Sequence, residues 1–393
     1  MEKYISSHKG MRATTLLKVI RAIRQGATSK HDVQLATNLS WGSCSDIINL
    51  LINKRILVPF KRDNRKGTRG GRKTTAFRFS DEHYLFFGME IRANSIFCSL
   101  TNLVAKELFS KKIEFDAIFN RENIFHIILS VFHTFLRECK VEEENILGLF
   151  ISLTGAVDSS NNRLIYSPRY HDIADIDFNR LRALVPFVNY FSIQHDIHAQ
   201  ASSVVRKNQW TEKNFAFLHF GEGVGMTFYN NGFYTGHKGF AGEVGHISHH
   251  VSGINRMCTC GRKNCYETIL STSGIHDLIG EICQWRTGRP EDSDDSLLIR
   301  SGVLQVVSEA ISDLIILVSN ILNPGAVFLG GEAVEPFRVF IKPAIEERVN
   351  KEAWLGGPGI IRWFSSGDIH CAYGAIINLN DKIIEQFITD NLI

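Results

Sequence analysis

The sequence predicts a mixed α/β protein in which a small, mainly helical N-terminal domain precedes a larger body of alternating strands and helices. Three observations point to this class. The first 80 residues contain two short helical segments joined by a turn, followed by a pair of strand-like segments. Beyond about residue 83, buried strand-like runs alternate with amphipathic helices. The charge divides at the same place, because residues 1–80 hold 17 Lys and Arg against 4 Asp and Glu.

The chain length and charge bound the class of protein. A chain of 393 residues is long enough for two or three domains. The net charge of +3 hides a head of about +13 on a body of about −10. A basic head on an acidic body is expected of a nucleic-acid-binding module carried by another domain. On charge alone, a solvated basic surface without a partner stays open as the alternative.

Membrane and secreted classes are not expected. No uninterrupted apolar run approaches the roughly 18 residues that a membrane-spanning helix needs. The N-terminal segment MEKYISSHKG lacks the apolar core of a secretory signal. We therefore expect a cytoplasmic protein, in which the eight cysteines are thiols or metal ligands rather than disulfides.

Three helices are predicted in the head. The first spans Met11–Gln25 and presents one apolar stripe. Ser29 is a good N-cap for the second, and Ser40 for the third, with a short turn over Thr37–Leu39 between them. This is a helix-turn-helix, whose second helix enters the major groove of DNA. The side chains predicted near base edges are the leading residues of that helix: Ser40, Trp41, Ser43 and Ser45.

A basic hairpin follows the three helices and completes a winged helix-turn-helix. Ile56–Val58 and Thr74–Phe79 are predicted as its strands, and the loop between them carries seven Lys and Arg side chains. Arginines on a thin loop suit phosphates and the narrow minor groove. Arg69 and Arg72 are the predicted DNA contacts of this wing.

The body is predicted to contain buried strands and long helices in alternation. A helix is expected over Ile124–Glu138, and another over Val303–Leu322 that ends at Asn323-Pro324-Gly325. The predicted strands are Leu85–Ile91, Ile96–Leu100, Ile146–Ser152, Phe215–Phe220 and Val327–Leu329.

Three cysteines within eight residues, Cys258, Cys260 and Cys265, predict a metal site. Cys-Thr-Cys-Gly makes a tight turn because glycine adopts the backbone angles it needs. One more ligand would complete a closed tetrahedral zinc shell of the structural type. His246 is the expected fourth ligand, and His249 and His250 compete with it on spacing alone.

These motifs together resemble the ROK family of repressors, unassigned reading frames and sugar kinases. The run Gly242-Glu243-Val244-Gly245-His246, followed by Cys258-x-Cys260-Gly261-x-x-x-Cys265-x-Glu267, is similar to the family signature. Gly70-Gly71-Arg72 resembles the wing of the family's transcriptional regulators, the branch that includes the N-acetylglucosamine and xylose repressors. Two glycine motifs, in residues 221–225 and 329–331, resemble the second phosphate loop and the adenosine loop.

The resemblance implies a domain plan. Residues 1–80 would form the winged helix-turn-helix, and residues 81–393 a two-lobed, actin-like (ribonuclease-H-like) ROK domain. One lobe would comprise approximately residues 84–196 with 376–393, and the other residues 197–375.

The resemblance also implies an effector site. Asp196, Glu243, His246 and Glu267 should hydrogen-bond the hydroxyls of a small sugar or sugar phosphate, with Asp196 at the position of the kinase base. His195 and His198 stand at positions where the family commonly has asparagine, and Asn264 stands where the family commonly has glycine. Operator DNA and a second copy of the chain, as a homodimer or a dimer of dimers, are the other expected partners.

The sequence of the first phosphate loop distinguishes between an active kinase and a regulator without catalysis. Family kinases need a glycine-rich turn after the first strand, so that backbone N–H groups can cradle phosphate. Here Arg92, Ala93 and Asn94 occupy that turn, and Glu90 replaces an aspartate. We therefore expect a sugar-responsive DNA-binding regulator, with repression as the family default, that lacks catalysis. The alternative is an active ATP-dependent sugar kinase that also binds DNA, and a weaker one is a DNA-binding protein whose pocket has lost its ligand.

Overall fold

A computed structural model describes residues 2–60, 76–115, 119–167, 173–251, 253–287 and 296–392. The described chain divides into two compact units. Unit 1 comprises residues 1–155, 159–199 and 371–393, and unit 2 comprises residues 156–158 and 200–370. The N-terminal helices therefore belong to the same unit as the C-terminal helix, whereas the predicted domain boundary at residue 80 stays a prediction.

The head contains the three predicted helices and the predicted strand pair. Its helices are α1 (Glu2–Arg24), α2 (Lys30–Thr37) and α3 (Trp41–Asn53). Its strands, β1 (Leu57–Phe60) and β2 (Ala76–Phe79), pair antiparallel. The wing residues Arg69 and Arg72 lie outside the described residues. The first helix begins nine residues earlier than the sequence pattern indicates.

Local capping explains why α2 and α3 begin where they do. Ser29 accepts the backbone N–H of Asp32, whose carboxylate in turn accepts the N–H of Ser29, which is a capping box. Ser40 accepts the backbone N–H of Ser43 at the start of α3. Asn38 ends α2 in the left-handed conformation (φ 53°), which asparagine tolerates better than most residues. The predicted helix-turn-helix is therefore confirmed in its local structure.

Unit 1 is built on a five-stranded sheet in the order β10-β6-β3-β4-β5. Strands β3, β4 and β5 are antiparallel neighbours, and β6 and β10 extend the sheet with parallel pairing. The sheet strands are β3 (Leu85–Arg92), β4 (Ser95–Thr101), β5 (Glu107–Glu114), β6 (Ile146–Leu153) and β10 (Tyr190–His195). The other elements of this unit are α4 (Ile124–Cys139), β8 (Arg163–Tyr166), β9 (Ala174–Asp177), α5 (Asn179–Leu184), the start of α6 (Asp196–Lys207) and α11 (Cys371–Leu392). Strand β7 (Ala156–Asp158) falls in unit 2.

Helix α11 packs directly on the central strand of this sheet. A Cβ atom at Gly88 would lie only 1.9 Å from the carbonyl oxygen of Ala372, so the first turn of α11 can rest on β3 only because residue 88 has no side chain. On the sheet, the ring of Phe87 contacts those of Phe132 and Phe135 at centroid distances of 5.0 and 5.1 Å. These contacts fix both α4 and α11 against β3.

Unit 2 is built on a four-stranded sheet in the order β12-β11-β13-β14. The pair β11–β12 is antiparallel, and β11, β13 and β14 run parallel, so its pattern repeats that of unit 1. Its other elements are β11 (Asn214–Phe220), β12 (Val224–Asn230), α7 (Glu267–Leu270), α8 (Thr272–Thr287), α9 (Ser296–Leu322), β13 (Ala326–Gly330), α10 (Arg338–Glu352) and β14 (Ile360–Phe364).

Helix α9 supplies much of the core of unit 2. Among the described residues, its segment Gly302–Leu322 is long and apolar enough to cross a membrane by length and composition. The sequence analysis predicts this helix but no membrane span, because no uninterrupted apolar run reaches about 18 residues. In the structure 56% of its most apolar stretch is buried, and Ile311 and Leu314 are fully buried in the core. Its apolar length is therefore used in packing within the unit.

Candidate functional site

The predicted metal ligands come together in unit 2. The ligand atoms of His246, Cys258, Cys260 and Cys265 all lie within 4.8 Å of one another. Cys258 Sγ lies 3.5 Å from His246 Nδ1, and Cys260 Sγ lies 3.6 Å from Cys265 Sγ. This group could hold one metal ion, with two of its cysteines buried and Cys260 exposed.

The competing histidines do not belong to the metal group. His249 accepts the backbone N–H of Val251 at Nδ1, and its buried Nε2 has no hydrogen-bond partner among the described residues. His250 is exposed. His246 is therefore the histidine of the group, as the sequence favoured.

The loop between the cysteines is held by backbone hydrogen bonds. Gly261, at φ 84°, follows Cys260 and donates its N–H to the carbonyl of Cys258. Asn264 adopts φ 59°, the region that favours glycine, and its side chain accepts the N–H of Arg256. Asparagine can therefore serve at this family glycine position, because its short polar side chain bonds locally.

The thiols of the group differ in acidity in the absence of metal. A hydrogen bond from the backbone of Arg262, helped by the Arg262 side chain, lowers the pKa of Cys260 to about 6. Burial raises the pKa of Cys265 to about 12. Thiolates are the ligand form of cysteine, so metal binding must also release the proton of Cys265.

Glu267 and Glu243 flank the metal group on either side in sequence. Glu267 is the first residue of α7, and its Oε1 lies 4.0 Å from Cys258 Sγ. Its other oxygen accepts the backbone N–H of Val224 at 3.4 Å, within the predicted second phosphate loop. Glu243 is exposed and precedes the short helical turn that carries His246. Glu267 therefore lies beside the cysteine group, and Glu243 adjoins the turn of His246 in sequence.

A polar cavity of ≈ 700 Å³ in unit 2 lies beside these residues. Glu222, Cys258 and Glu267 contribute to its wall, together with four hydroxyl side chains. The hydroxyl residues are Thr259, Thr268, Ser271 and Ser273. Glu243 and His246 are not among the residues that line it.

Asp196 lies in unit 1, at the junction where β10 ends and α6 begins. Thr154 Oγ1 donates to Asp196 Oδ2 at 2.7 Å, and His195 Nδ1 lies 2.9 Å from Oδ1. Burial lowers the pKa of the neighbouring His198 to about 3, so His198 is neutral. The hydroxyl of Thr154 thus anchors one oxygen of Asp196, and the ring of His195 lies against the other.

The predicted first phosphate loop is a tight hairpin turn. Arg92 pairs with Ser95, which leaves only Ala93 and Asn94 between strands β3 and β4. Arg92 Nε donates to Glu90 Oε1 at 2.8 Å, and its guanidinium lies 4.5 Å from the ring centre of Phe97. The positive charge of Arg92 is thus engaged within the unit rather than directed to an open loop.

A carboxylate that the sequence prediction missed, that of Glu332, lies against the predicted second phosphate loop. The carboxylate of Glu332 accepts the backbone N–H of Glu222 and lies 3.2 Å from His219 Nε2. A Cβ atom at Gly221 would lie 2.3 Å from Glu332 Oε1. Partial burial raises the pKa of Glu332, but hydrogen bonds and charge from His219 and the backbone outweigh it and leave the pKa at about 2. The only sequence signal was the position of Glu332, directly after the glycine pair Gly330-Gly331.

In the head, several of the predicted DNA-contacting side chains have partners within the domain. Ser40 caps α3, and its Oγ lies 2.9 Å from Ser43 Oγ. Lys30 Nζ donates to Ser45 Oγ at 2.8 Å and to Asn49 Oδ1 at 3.1 Å. The indole of Trp41 is 51% exposed at the start of α3, which leaves it accessible.

Comparison with known proteins extends these observations. The family model named ROK matches residues 87–381. The chain is 21% identical over 381 residues to a xylose repressor from Caldicellulosiruptor bescii, across 89% of this chain and 91% of that protein.

Two solved structures share the fold. One is a ROK family transcriptional regulator, a homologue of the E. coli MLC protein, with a TM-score of 0.75 and 18% identity over 97% of this chain and 100% of that one. The other is a ROK hexokinase from Thermus thermophilus, with a TM-score of 0.60 and 16% identity over 77% of this chain and 99% of that one. The predicted α/β class, with N-terminal helices and an actin-like domain, is confirmed.

Proposed function

This chain belongs to the ROK family, and we propose that it is a sugar-responsive, DNA-binding transcriptional regulator that represses carbohydrate-utilisation genes. The observation that carries the proposal is the capped helix-turn-helix of the head, joined to a domain of this family. The regulator structure matches 97% of the chain, whereas the hexokinase leaves about a quarter of it unmatched. A xylose repressor matches nearly the full length as well.

The head would bind operator DNA through α3 and the basic wing. Its charge of about +13 supplies the sequence-independent attraction to phosphates. Ser40, Trp41, Ser43 and Ser45 are the predicted contacts of α3, and Arg69 and Arg72 those of the wing. In a homodimer the operator would be palindromic, with half-sites one helical turn or a multiple of it apart. Such a regulator would act in the cytoplasm.

The effector would be a small sugar or sugar phosphate. Asp196, Glu243 and Glu267 are ionisable acceptors suited to hydroxyl groups, and His246 would orient the site through the metal. Asp196 accepts the hydroxyl of Thr154, which supports a fixed orientation of this carboxylate in unit 1. Glu267 lies against Cys258, which supports a link between the metal group and the effector-binding carboxylates in unit 2.

The metal would be structural zinc. Zinc–ligand bonds of about 2.0 Å to nitrogen and 2.3 Å to sulfur give tetrahedral edges of about 3.5 Å between N and S and about 3.8 Å between two S atoms. The separations of 3.5 Å and 3.6 Å in the cluster fit this shell. His246, Cys258, Cys260 and Cys265 would fill all four positions, so the ion would stabilise the loop and leave no open position for water.

We further propose that the protein has no useful kinase activity. Phosphoryl transfer depends on donors and cations placed around the phosphates. In the first loop Arg92 is paired with Glu90, and in the second the carboxylate of Glu332 takes the backbone N–H of Glu222. A nucleotide phosphate at that loop would meet the negative charge of Glu332. Both observations support a regulator over the alternative, a DNA-binding sugar kinase.

A direct experiment separates the two functions. Sugars that raise the melting temperature of the full-length protein are first identified from a panel of mono-, di- and amino sugars, because a ligand of the native state raises its stability. Each is then incubated with protein, ATP and magnesium. We expect binding without sugar phosphate. Turnover that disappears in Asp196→Asn would establish the kinase instead.

A further inference from the structure

The outward face of helix α3 carries two polar side chains that the sequence prediction did not select. The inner face is formed by Cys44, Ile48 and Leu51, all fully buried. At 100° per residue the opposite face is centred on Asp46 and Asn49, and both are exposed. Gly42 lies on the same face one turn earlier and has only Ser40 Oγ near its missing side chain. The backbone can therefore approach a flat surface closely on this side.

Asp46 and Asn49 differ in their hydrogen-bond partners. Asp46 has no hydrogen-bond or ion-pair partner among the described residues, although the head is strongly basic. Asn49 Oδ1 accepts Lys30 Nζ at 3.1 Å, which fixes the amide and turns its Nδ2 donors away from α2. Lys30 also holds Ser45 at 2.8 Å, so it positions two side chains of α3 without lying on the outward face itself.

We propose that Asp46 and Asn49 read adjacent base pairs in each half-site of the operator, Asp46 a C·G pair and Asn49 an A·T pair. This inference rests on the proposed DNA-binding function. In the major groove a carboxylate is an acceptor that suits the cytosine amino group. Guanine and thymine present acceptors that repel it, and adenine sets its amino group beside the acceptor N7. An asparagine amide matches the N7 and amino group of adenine. Oδ1 has a second lone pair for the adenine amino group while Lys30 occupies the first.

The spacing supports two neighbouring base pairs. Residues three apart on a helix are neighbours on one face and are separated by about 4.5 Å along its axis. The rise of one base pair is about 3.4 Å. A helix lying in the groove therefore places Asp46 and Asn49 over successive pairs. An acidic side chain near phosphates is unfavourable unless it meets a donor, so Asp46 selects against sequences that lack one.

The test is selection from a random pool of DNA duplexes by the full-length protein and its variants. Asp46→Ala and Asn49→Ala should each lose preference at one position of the half-site, by roughly 5- to 150-fold for the favoured over the disfavoured pair. Asp46→Asn, which keeps the shape of the side chain, should change the preferred pair from C·G to A·T. Asn53→Ala, on the same face at the far end of α3, is the matched control and should select the parental sequence.

The outcomes separate the inference from the proposed function. Variants of Asp46 and Asn49 that select the same sequences as the parent would overturn the base-reading roles, even though the protein binds DNA. An equal loss in Asn53→Ala would overturn them too, because the effect would then not be local to those two side chains. A parent protein that selects no sequence would overturn the proposed function, and the inference with it.

Discussion

At the scale of single residues, Glu332 places a carboxylate against the predicted second phosphate loop. Its carboxylate bonds to His219 and to the backbone N–H of Glu222, in the loop that resembles the second phosphate loop of family kinases. The same contacts lower its pKa to about 2, below the ordinary value of 4.5. The ionised form of Glu332 therefore stabilises the folded state.

The first prediction is a pH-dependent difference in stability between the parent and Glu332→Gln. A carboxyl whose folded pKa is depressed stabilises the fold fully above its ordinary pKa, near 4.5, and loses that contribution as the pH falls toward 2. The side chain is 46% exposed, so solvent screening makes the effect smaller than the shift alone implies. In urea unfolding, the parent should be more stable at pH 6, and the difference should close toward pH 2.5. A gap that stays constant with pH would contradict this account.

Individual residues also show which features could be predicted from the sequence. Ser29 and Ser40 were identified as N-caps because capping depends on local sequence, and the cysteine spacing marked the metal group for the same reason. The bonds of Lys30 to Ser45 and Asn49 join residues 15 and 19 positions apart. Such pairs depend on how helices pack, which the pattern of one helix does not contain.

At the scale of structural elements, the loop of residues 258–265 carries three of the four proposed metal ligands and is held by backbone hydrogen bonds. Cys260 and its neighbours Thr259 and Gly261 are exposed, so this part of the loop has little apolar packing against the rest of the unit. The free energy of metal binding would then also stabilise the folded conformation of this loop. Loss of one ligand should release Glu267, which lies beside Cys258.

The second prediction concerns Cys260→Ser. Metal analysis of the purified parent should give about one zinc per chain, and the variant should hold much less because one thiolate is lost. The sugar response should fall while DNA selection is kept, since the head is remote in sequence from this loop. Cys139→Ser, a half-buried cysteine of unit 1 outside the metal group, is the matched control and should retain zinc. A zinc-free variant with full sugar response would refute the link between metal and effector site.

Helix α11 connects the surroundings of Asp196 to the head within unit 1. Its 22 residues span about 33 Å. Near its start, Asn378 Nδ2 donates to Gln194 Oε1 at 2.5 Å, two residues before Asp196. Near its end, Phe387 contacts the ring of Tyr84 at 4.9 Å, and the Tyr84 hydroxyl donates to the carbonyl of Lys54 at the end of α3. One helix therefore contacts residues that adjoin both regions that the proposed function must couple.

The third prediction is that Tyr84→Phe weakens this coupling. The variant keeps the ring but loses the hydrogen bond to Lys54, so DNA affinity without sugar and sugar affinity should each change by less than about threefold. The factor by which sugar lowers DNA affinity should fall, measured by anisotropy of labelled operator. Tyr373→Phe removes a comparable hydroxyl bond, to Ala105 at the other end of α11, and should leave that factor unchanged. Equal effects of the two substitutions would remove Tyr84 from the coupling.

Among the elements, strands with a continuous apolar run were predicted, whereas the exposed strand β5 was not. Strands β3 and β6 are buried along nearly their full length, so their continuous apolar runs marked them within about one residue. Strand β5 was missed because its sequence, ELFSKKIE, is mostly exposed and has no alternation of apolar and polar residues. It exists because it pairs with β4 at the sheet edge, which is a tertiary effect.

At the scale of the whole molecule, the charge distribution and the family match both divide the chain into a basic N-terminal head and a ROK body. The basic head of about +13 favours DNA, and the acidic body of about −10 does not compete for it. The ROK match begins at residue 87, just after the head, and extends to residue 381. A regulator of this kind needs only a difference in DNA affinity between its sugar-bound and sugar-free states.

The most direct test of this account measures operator affinity of the full-length protein with and without a sugar that raises its melting temperature. The account predicts that saturating sugar weakens binding by roughly 5- to 150-fold, the usual range of coupling between two sites. It also predicts that no sugar phosphate forms in the same sample when ATP and magnesium are present. An operator affinity that does not change with bound sugar, or sugar phosphate that accumulates, would contradict it.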